Sequence, residues 1–224
     1  HIGRLAADLL GEPVAEAELA FDPAGSYAQL YREQGSDRAF AAGLLGWQIT
    51  DPRFHDALVE AARAGVRIEF AVQPLPNADH PNTVSIRLVG VRGRTIDLVA
   101  RSVGGGAVEV IELNGQPVHL TGDSHVVVAR PAEGRREEVA AWLQSQGYPS
   151  VSVSGPFIVA CAPREGHADI VAGSNGIEEV WTAKPIFYPR VGEPPWRSAA
   201  ELIEMAEADG LTLGLAGLRY EGAV

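Results

Sequence analysis

Apolar positions recur at helical spacing from the first residues. Ile2, Leu5, Leu9 and Leu10 share one face, and Gly11 follows as a C-cap. No N-cap precedes this pattern, so the numbered sequence is expected to open inside a helix, with further residues upstream. The period then changes to two. Val14–Phe21 reads as a strand, 37–45 as a helix capped by Ser36 or Asp37 and closed by Gly46, and 54–64 as a helix ended by Gly65. Residues 66–72 alternate apolar and polar, as a half-buried strand does. A loop containing Pro74, Pro76 and Pro81 spans 73–83. Strands at 84–89, 95–101, 108–113 and 118–120 follow, with turns at Arg92-Gly93 and Asn114-Gly115. Asn-Gly is the strongest short hairpin signal. Residues 1–122 thus predict an antiparallel sheet with helices packed on it.

A second pattern begins near 123. A strand at 126–130 precedes a helix at 135–146 with Val139, Trp142 and Leu143 on its core face. Ser150–Ser154 and 157–160 form a hairpin through Gly155-Pro156. A short helix at 167–172 and a strand at 179–184 complete the order β-α-β-β-α-β, the ferredoxin-like arrangement. From 190 onward Glu193-Pro194-Pro195-Trp196 reads as a stiff linker. Ser198 and Glu201 then open one amphipathic helix that Gly210 ends. That helix needs the body of the chain or a partner to bury its apolar face. The expected class is α+β, in three segments: 1–122, 123–189 and 190–224.

Composition narrows the function classes. The chain has 224 residues and a formal net charge of −11, a balance that repels phosphate backbones and excludes a general nucleic-acid binder. No apolar run approaches the roughly 18–20 residues that cross a bilayer, so no membrane association is expected. Cys161 is the one cysteine, which excludes an internal disulfide and a metal site built from several thiolates of this chain alone. No signal-peptide pattern is visible, so the expected compartment is the cytoplasm. Lys184 is the one lysine.

Three loops carry candidate chemistry. In Asp79-His80-Pro81-Asn82-Thr83, Pro81 forces His80 into an extended conformation. A histidine and an asparagine so held suit carboxylate binding or proton handling; the alternative is a loop whose side chains cap its own backbone. In Ser102-Val103-Gly104-Gly105-Gly106, consecutive glycines let N–H groups converge on an anion, or form a plain hairpin turn. In Gln34-Gly35-Ser36-Asp37, free N–H groups at a helix start suit a carboxylate, or Ser36 and Asp37 simply cap the helix. No histidine pair has zinc-ligand spacing, and no G-x-S-x-G, Walker or dinucleotide-binding loop occurs.

Taken together and in order, Ile2-Gly3-Arg4, Gly25-Ser26-Tyr27-Ala28, Gly35-Ser36-Asp37-Arg38-Ala39, Gly43-Leu44-Leu45-Gly46, His80-Pro81-Asn82-Thr83, Ser102-Val103-Gly104-Gly105-Gly106 and Glu112-Leu113-Asn114-Gly115 resemble the beta part of the iron–sulfur-dependent L-serine dehydratases. The resemblance covers about residues 1–120, and the His-Pro-Asn-Thr and triple-glycine loops are its specific part. Residues 124–188 resemble, by element order, the ACT module that ends many such beta parts. The ACT glycine turn reads here Arg130-Pro131-Ala132-Glu133-Gly134-Arg135. Residues 196–207 resemble the start of the family's alpha part. Where the family has Gly-His-Gly-Thr-Asp, this chain has Glu33-Gln34-Gly35-Ser36-Asp37, a neutral amide in place of an imidazole.

The resemblance implies an ammonia-lyase that converts L-serine to pyruvate and ammonia, with a 4Fe–4S cluster held by cysteines of the alpha part. No metal ligands come from this chain, and no pyridoxal lysine is required. The implied partners are an alpha part or subunit and a small amino acid, in an oligomer. His80, Asn82 and Thr83 are then the expected catalytic or orienting residues, and Ser102, Gly104, Gly105, Gly106, Ser36 and Asp37 the expected substrate-binding ones. A related lyase acting on another β-hydroxy or β-substituted amino acid, and a non-catalytic sensing or scaffold subunit, are the alternatives.

Overall fold

The computed structural model describes residues 1–76, 78–164, 166, 170–187 and 195–223, with residues 221–223 described by backbone alone. The chain divides into two compact units, His1–Phe187 and Tyr188–Val224.

The larger unit contains two sheets. Helix α1 (Ile2–Leu10) leads into β1 (Val14–Phe21), α2 (Ser26–Leu30) and α3 (Ser36–Leu44). A 3-10 turn at Phe54–Asp56 precedes α4 (Ala57–Arg63), so the helix expected at 54–64 is divided. Strands β2 (Arg67–Val72), β3 (Thr83–Gly90), β4 (Thr95–Gly104), β5 (Ala107–Leu113) and β6 (Gln116–Leu120) follow, and the sheet order is β2-β1-β3-β4-β5-β6. Every pair is antiparallel except β1 with β2, which is parallel with Leu19 opposite Phe70. The purely antiparallel expectation fails at this edge because the helices between β1 and β2 form a crossover, which returns the chain in the same direction. The hairpin at Asn114-Gly115 is as expected, with φ of 49° and 71°.

Helix α1 is buried along a wide arc that includes Leu5, Ala6, Leu9 and Leu10. It crosses α3 closely. A Cβ on Gly3 would sit 2.7 Å from the Phe40 carbonyl oxygen, and one on Gly43 would sit 2.6 Å from the Arg4 nitrogen. Two small residues at the crossing are what allow these backbones to touch.

Strands β7 (His125–Pro131), β8 (Ser150–Ser154), β9 (Phe157–Ala162) and β10 (Ile177–Ala183), with helix α5 (Arg136–Ser145), make the second sheet. Its order β10-β7-β9-β8, antiparallel throughout, is the 4-1-3-2 arrangement of a ferredoxin-like unit. Alternate residues face opposite ways. Val127, Ala129, Ile158 and Ala160 pack with Val139 and Leu143 of α5. Val126, Val128, Phe157, Val159 and Trp181 join one continuous core with α1 and the first sheet. Strands β7 and β9 are therefore apolar on both faces, whereas β8 turns Ser150, Ser152 and Ser154 to one of them. Of the helix expected at 167–172, residues 167–169 lie outside the described residues, and 170–172 are not helical.

In the smaller unit, described from Pro195, α6 (Ala199–Ala208) starts as predicted. Ser198 Oγ accepts a hydrogen bond from the Glu201 N–H at 3.2 Å. The Glu201 carboxylate accepts from the Arg197 N–H at 2.7 Å. A second helix, α7 (Leu213–Ala223), was not anticipated; Trp196 and Tyr220 meet with ring centroids 5.1 Å apart. The expected linker residues Glu193 and Pro194 lie outside the described residues. Among the described residues no helix is long and apolar enough to cross a membrane.

Candidate functional site

The His-Pro-Asn-Thr loop enters β3 and holds itself in shape. Thr83 is buried, and both its N–H and its hydroxyl donate to the His80 carbonyl, at 3.1 and 2.8 Å. The Asn82 N–H donates to His80 Nδ1 at 3.1 Å, so the neutral ring carries its proton on Nε2. Asn82 then ties the loop to the end of β4. Its side-chain amide donates to the Ser102 carbonyl at 3.4 Å, and its carbonyl accepts from the Ser102 N–H at 3.2 Å. Arg101 adds a brace, reaching Asp79 at 2.9 Å and Glu109 at 2.8 Å. On the other side, the Pro81 carbonyl accepts from the Ser26 N–H at 2.7 Å, at the start of α2. Gly25 permits that approach, since a Cβ there would lie 2.6 Å from the same oxygen.

The glycine run is a hairpin turn. Gly104 pairs with Ala107, and Gly104, Gly105 and Gly106 all have positive φ, a conformation glycine adopts without a Cβ penalty. Gly104 and Gly105 are exposed. The Gly106 carbonyl accepts from His1 Nδ1 at 2.7 Å, which places an imidazole at the turn.

These elements surround a cavity of about 190 Å³. Ser36, Ser102 and Gly106 line it together with His1 and Tyr27. Ile2, Phe40, Ile49 and Val108 give it an apolar wall. The first turns of two helices border it, α1 through Ile2 and Gly3 and α3 through Ser36. The N-cap position of α3 is Gly35, with φ of 71°, and not Ser36 or Asp37 as expected; the Asp37 carboxylate instead accepts from the Arg38 N–H inside the first turn. The first turn of α3 presents a positive dipole end to the cavity, and the Ser36 hydroxyl lies beside it. Burial pushes the Tyr27 phenol above its usual range, against a hydrogen bond with Ser102, so this hydroxyl stays protonated at neutral pH and can donate.

Of the residues selected from sequence, Ser36, Ser102 and Gly106 reach the cavity. His80, Asn82, Thr83, Asp37, Gly104 and Gly105 do not line it. Asn82 lies behind Ser102, and Asp37 accepts from the Arg38 N–H at 2.7 Å. Gln34 is exposed and also away from the lining. Sequence reasoning missed His1, Tyr27 and Ile49 as lining residues; only Tyr27 lay in a stretch already singled out. A larger cleft of about 720 Å³, lined by Asp8, Glu12, His125 and Lys184 among others, contains none of the selected residues.

Among the described residues no group of three or more His, Cys, Asp and Glu is placed to hold a metal. Cys161 is half-buried on β9, opposite Val126, and burial pushes its thiol up. A lone protonated thiol cannot anchor a 4Fe–4S cluster, which needs several thiolates.

Comparison with known proteins agrees with the sequence motifs. No family model matches the chain. Over 128 residues it is 35% identical to the probable L-serine dehydratase, beta chain, of Bacillus subtilis (strain 168), covering 57% of this chain and 56% of that protein. Over 118 residues it is 29% identical to the L-serine dehydratase, beta chain, of Peptoniphilus asaccharolyticus, covering 53% of each. The chain is similar to L-serine dehydratase beta chains. It spans about half the length of these curated relatives. The likeness to serine dehydratase beta chains, first read from the loop motifs, is thereby supported by two sequences.

Proposed function

We propose that this chain is the beta component of an L-serine ammonia-lyase, releasing pyruvate and ammonia together with an alpha part that holds a 4Fe–4S cluster. The observation that carries this reading is convergence: three separate stretches resembling the family, around Tyr27, Ser36 and Ser102, border one small cavity. In this reading residues 1–122 form the serine-dehydratase-type part, 123–189 an ACT-like module, and 190–224 the opening of an alpha-type part. Because the residues present do not fit a cluster, its thiolates belong to another polypeptide segment, and this chain's work is binding and orientation.

The substrate carboxylate sits at the first turn of α3, within reach of the Ser36 and Ser102 hydroxyls. Tyr27 donates to Ser102 or to the substrate. His80, Asn82 and Thr83 act by fixing Ser102: Thr83 locks the loop, His80 Nδ1 takes the Asn82 N–H, and Asn82 grips both backbone groups of Ser102. Replacing Asn82 with Ala in the complex reconstituted with an alpha part is expected to lower kcat/KM by more than about tenfold, or ~1.4 kcal/mol. Unchanged kinetics would remove the orienting role.

A second reading has its own observation. The wall formed by Ile2, Phe40, Ile49 and Val108 is apolar, and serine has no apolar group to fill it. A lyase for a larger β-hydroxy or β-substituted amino acid accounts for that wall. A substrate profile of the assembled enzyme separates the two, through the ratio of kcat/KM for serine to that for bulkier homologues.

A further inference from the structure

A free amino acid brings two charged ends to a site. Its carboxylate needs donors, and its ammonium carries three N–H groups that need acceptors. The small cavity is well supplied with the first and poor in the second. Among the described residues, its polar side chains are the hydroxyls of Tyr27, Ser36 and Ser102 and the ring of His1, with no Asp, Glu, Asn or Gln. The Tyr27 hydroxyl is engaged with Ser102, and the Gly106 carbonyl already accepts from His1. That last bond settles the chemistry of the ring. A carbonyl oxygen can only accept, so in the neutral ring Nδ1 carries the proton and Nε2 keeps a lone pair. Among the described residues no group bonds Nε2. The ring is held in place on two sides. Gly106 takes Nδ1 at 2.7 Å, and Phe187 lies nearly parallel, with an interplanar angle of 22° and ring centroids 6.0 Å apart. A Cβ at Gly106 would stand 3.3 Å from His1 Cε1, so the last glycine of the turn also makes room for the ring.

We propose that His1 is the ammonium-binding residue of this cavity: its Nε2 accepts a hydrogen bond from the ammonium group of the amino acid whose carboxylate lies at the first turn of α3 beside Ser36. This rests on the amino-acid reading of the cavity given above and supplies its second anchor. Nε2 is the one lining side-chain atom that can only accept, since each hydroxyl can also donate and is drawn to the carboxylate. Two anchors on substituents of one α-carbon restrict the swing of the bond to the β-carbon, which a carboxylate anchor alone leaves free. The hairpin turn of Gly104, Gly105 and Gly106 then acts through His1: its last carbonyl fixes which ring nitrogen faces the ligand as an acceptor.

The test uses the whole chain and two ligands that differ by the amino group: L-serine, and 3-hydroxypropanoate, which is serine with hydrogen in its place. Calorimetric titration reads a Kd for each without turnover. The ratio of the two Kd values isolates the share of binding that comes from the ammonium. In wild type, L-serine is expected to bind at least about tenfold more tightly, the worth of a hydrogen bond to a charged group. His1→Asn keeps an amide N–H near the place of Nδ1, able to reach the Gly106 carbonyl, and removes the acceptor at the place of Nε2. The ratio is expected to fall toward one in this variant, through a loss of L-serine affinity. His1→Ala removes both ring nitrogens, is expected to give the same collapse, and serves should His1→Asn disturb the fold. A wild-type ratio near one overturns the proposal. So does a ratio that survives in the variants, including the case where both ligands weaken equally because His1 only shapes the site. A wild-type chain that binds neither ligand overturns the amino-acid reading of the cavity itself, and the assignment of His1 with it.

Discussion

The two sheets of the larger unit share one core but use their ends differently. In the six-stranded sheet, the polar loop that enters β3 is tied to the end of β4, and that end borders a cavity with the first turn of α3. In the four-stranded sheet, the central strands β7 and β9 are apolar on both faces, one against α5 and one against the shared core. One sheet therefore has an organised polar end, and the central strands of the other are given over to packing. The comparison teaches that a ferredoxin-like order need not imply an independent body: Trp181 and Phe157 of the second sheet belong to the same apolar cluster as Leu5 and Leu98.

The most severe way to break this comparison is to remove the side chain that joins the sheets. Trp181 is buried, packs on Phe157 at 5.3 Å between ring centroids, and has Arg94 of the first sheet over its ring. Trp181→Ala is expected to destabilise the unit by about 3–5 kcal/mol. Because the core is shared, circular dichroism and fluorescence should report one coincident denaturation transition for both sheets. Separate transitions would show that the sheets are independent after all.

A smaller effect is expected at the helix crossing that borders the cavity. Gly43→Val puts side-chain atoms against the Arg4 backbone, and overpacking of this kind costs about 1–3 kcal/mol. Since α1 and α3 both line the cavity, the same change should raise KM in the reconstituted complex. A stability loss with KM unchanged would separate the crossing from the site.

What the sequence made legible follows physical locality. Strand β1 and strand β8 fall where the alternation places them, and Gly11, with φ of 73°, caps α1 as predicted. The second sheet's order was readable because its element order admits few topologies. The parallel pairing of β2 was not, since strand direction depends on how α2 through α4 cross back, and nothing in Arg67–Val72 encodes it. Helix α2 has five residues, too few for a periodic signal. Helix α7 is interrupted by Gly214 and Gly217, which weaken its pattern. At the site, the loops could be named from their residue types. The placing of His1 against Gly106 and of Ile49 in the wall depends on contacts far apart in sequence. The pattern likewise marked α1 as amphipathic but could not say that two sheets contact it.

The smallest of these effects concerns Asp8, on the side of α1 near β10. Its carboxylate accepts from the Lys184 N–H at 3.2 Å. Burial nevertheless raises its pKa above 3.8, outweighing that bond and the nearby charges of Arg4 and Lys184. A raised carboxyl binds its proton more tightly in the folded state than in the unfolded chain. Stability contributed by the protonated form is therefore present below the unfolded value and falls as pH rises from there through the folded value. Asp8→Asn keeps an oxygen acceptor for the Lys184 N–H and removes the titration. Relative to wild type, the variant's Tm should gain as pH rises from the ordinary carboxyl value of 3.8 and level off once Asp8 is ionised in the folded state as well. A wild-type advantage that grows over the same range would mean that Arg4 and Lys184 hold Asp8 as an ion pair. The contact between α1 and β10 would then be electrostatic, and the second sheet would rest on more than packing.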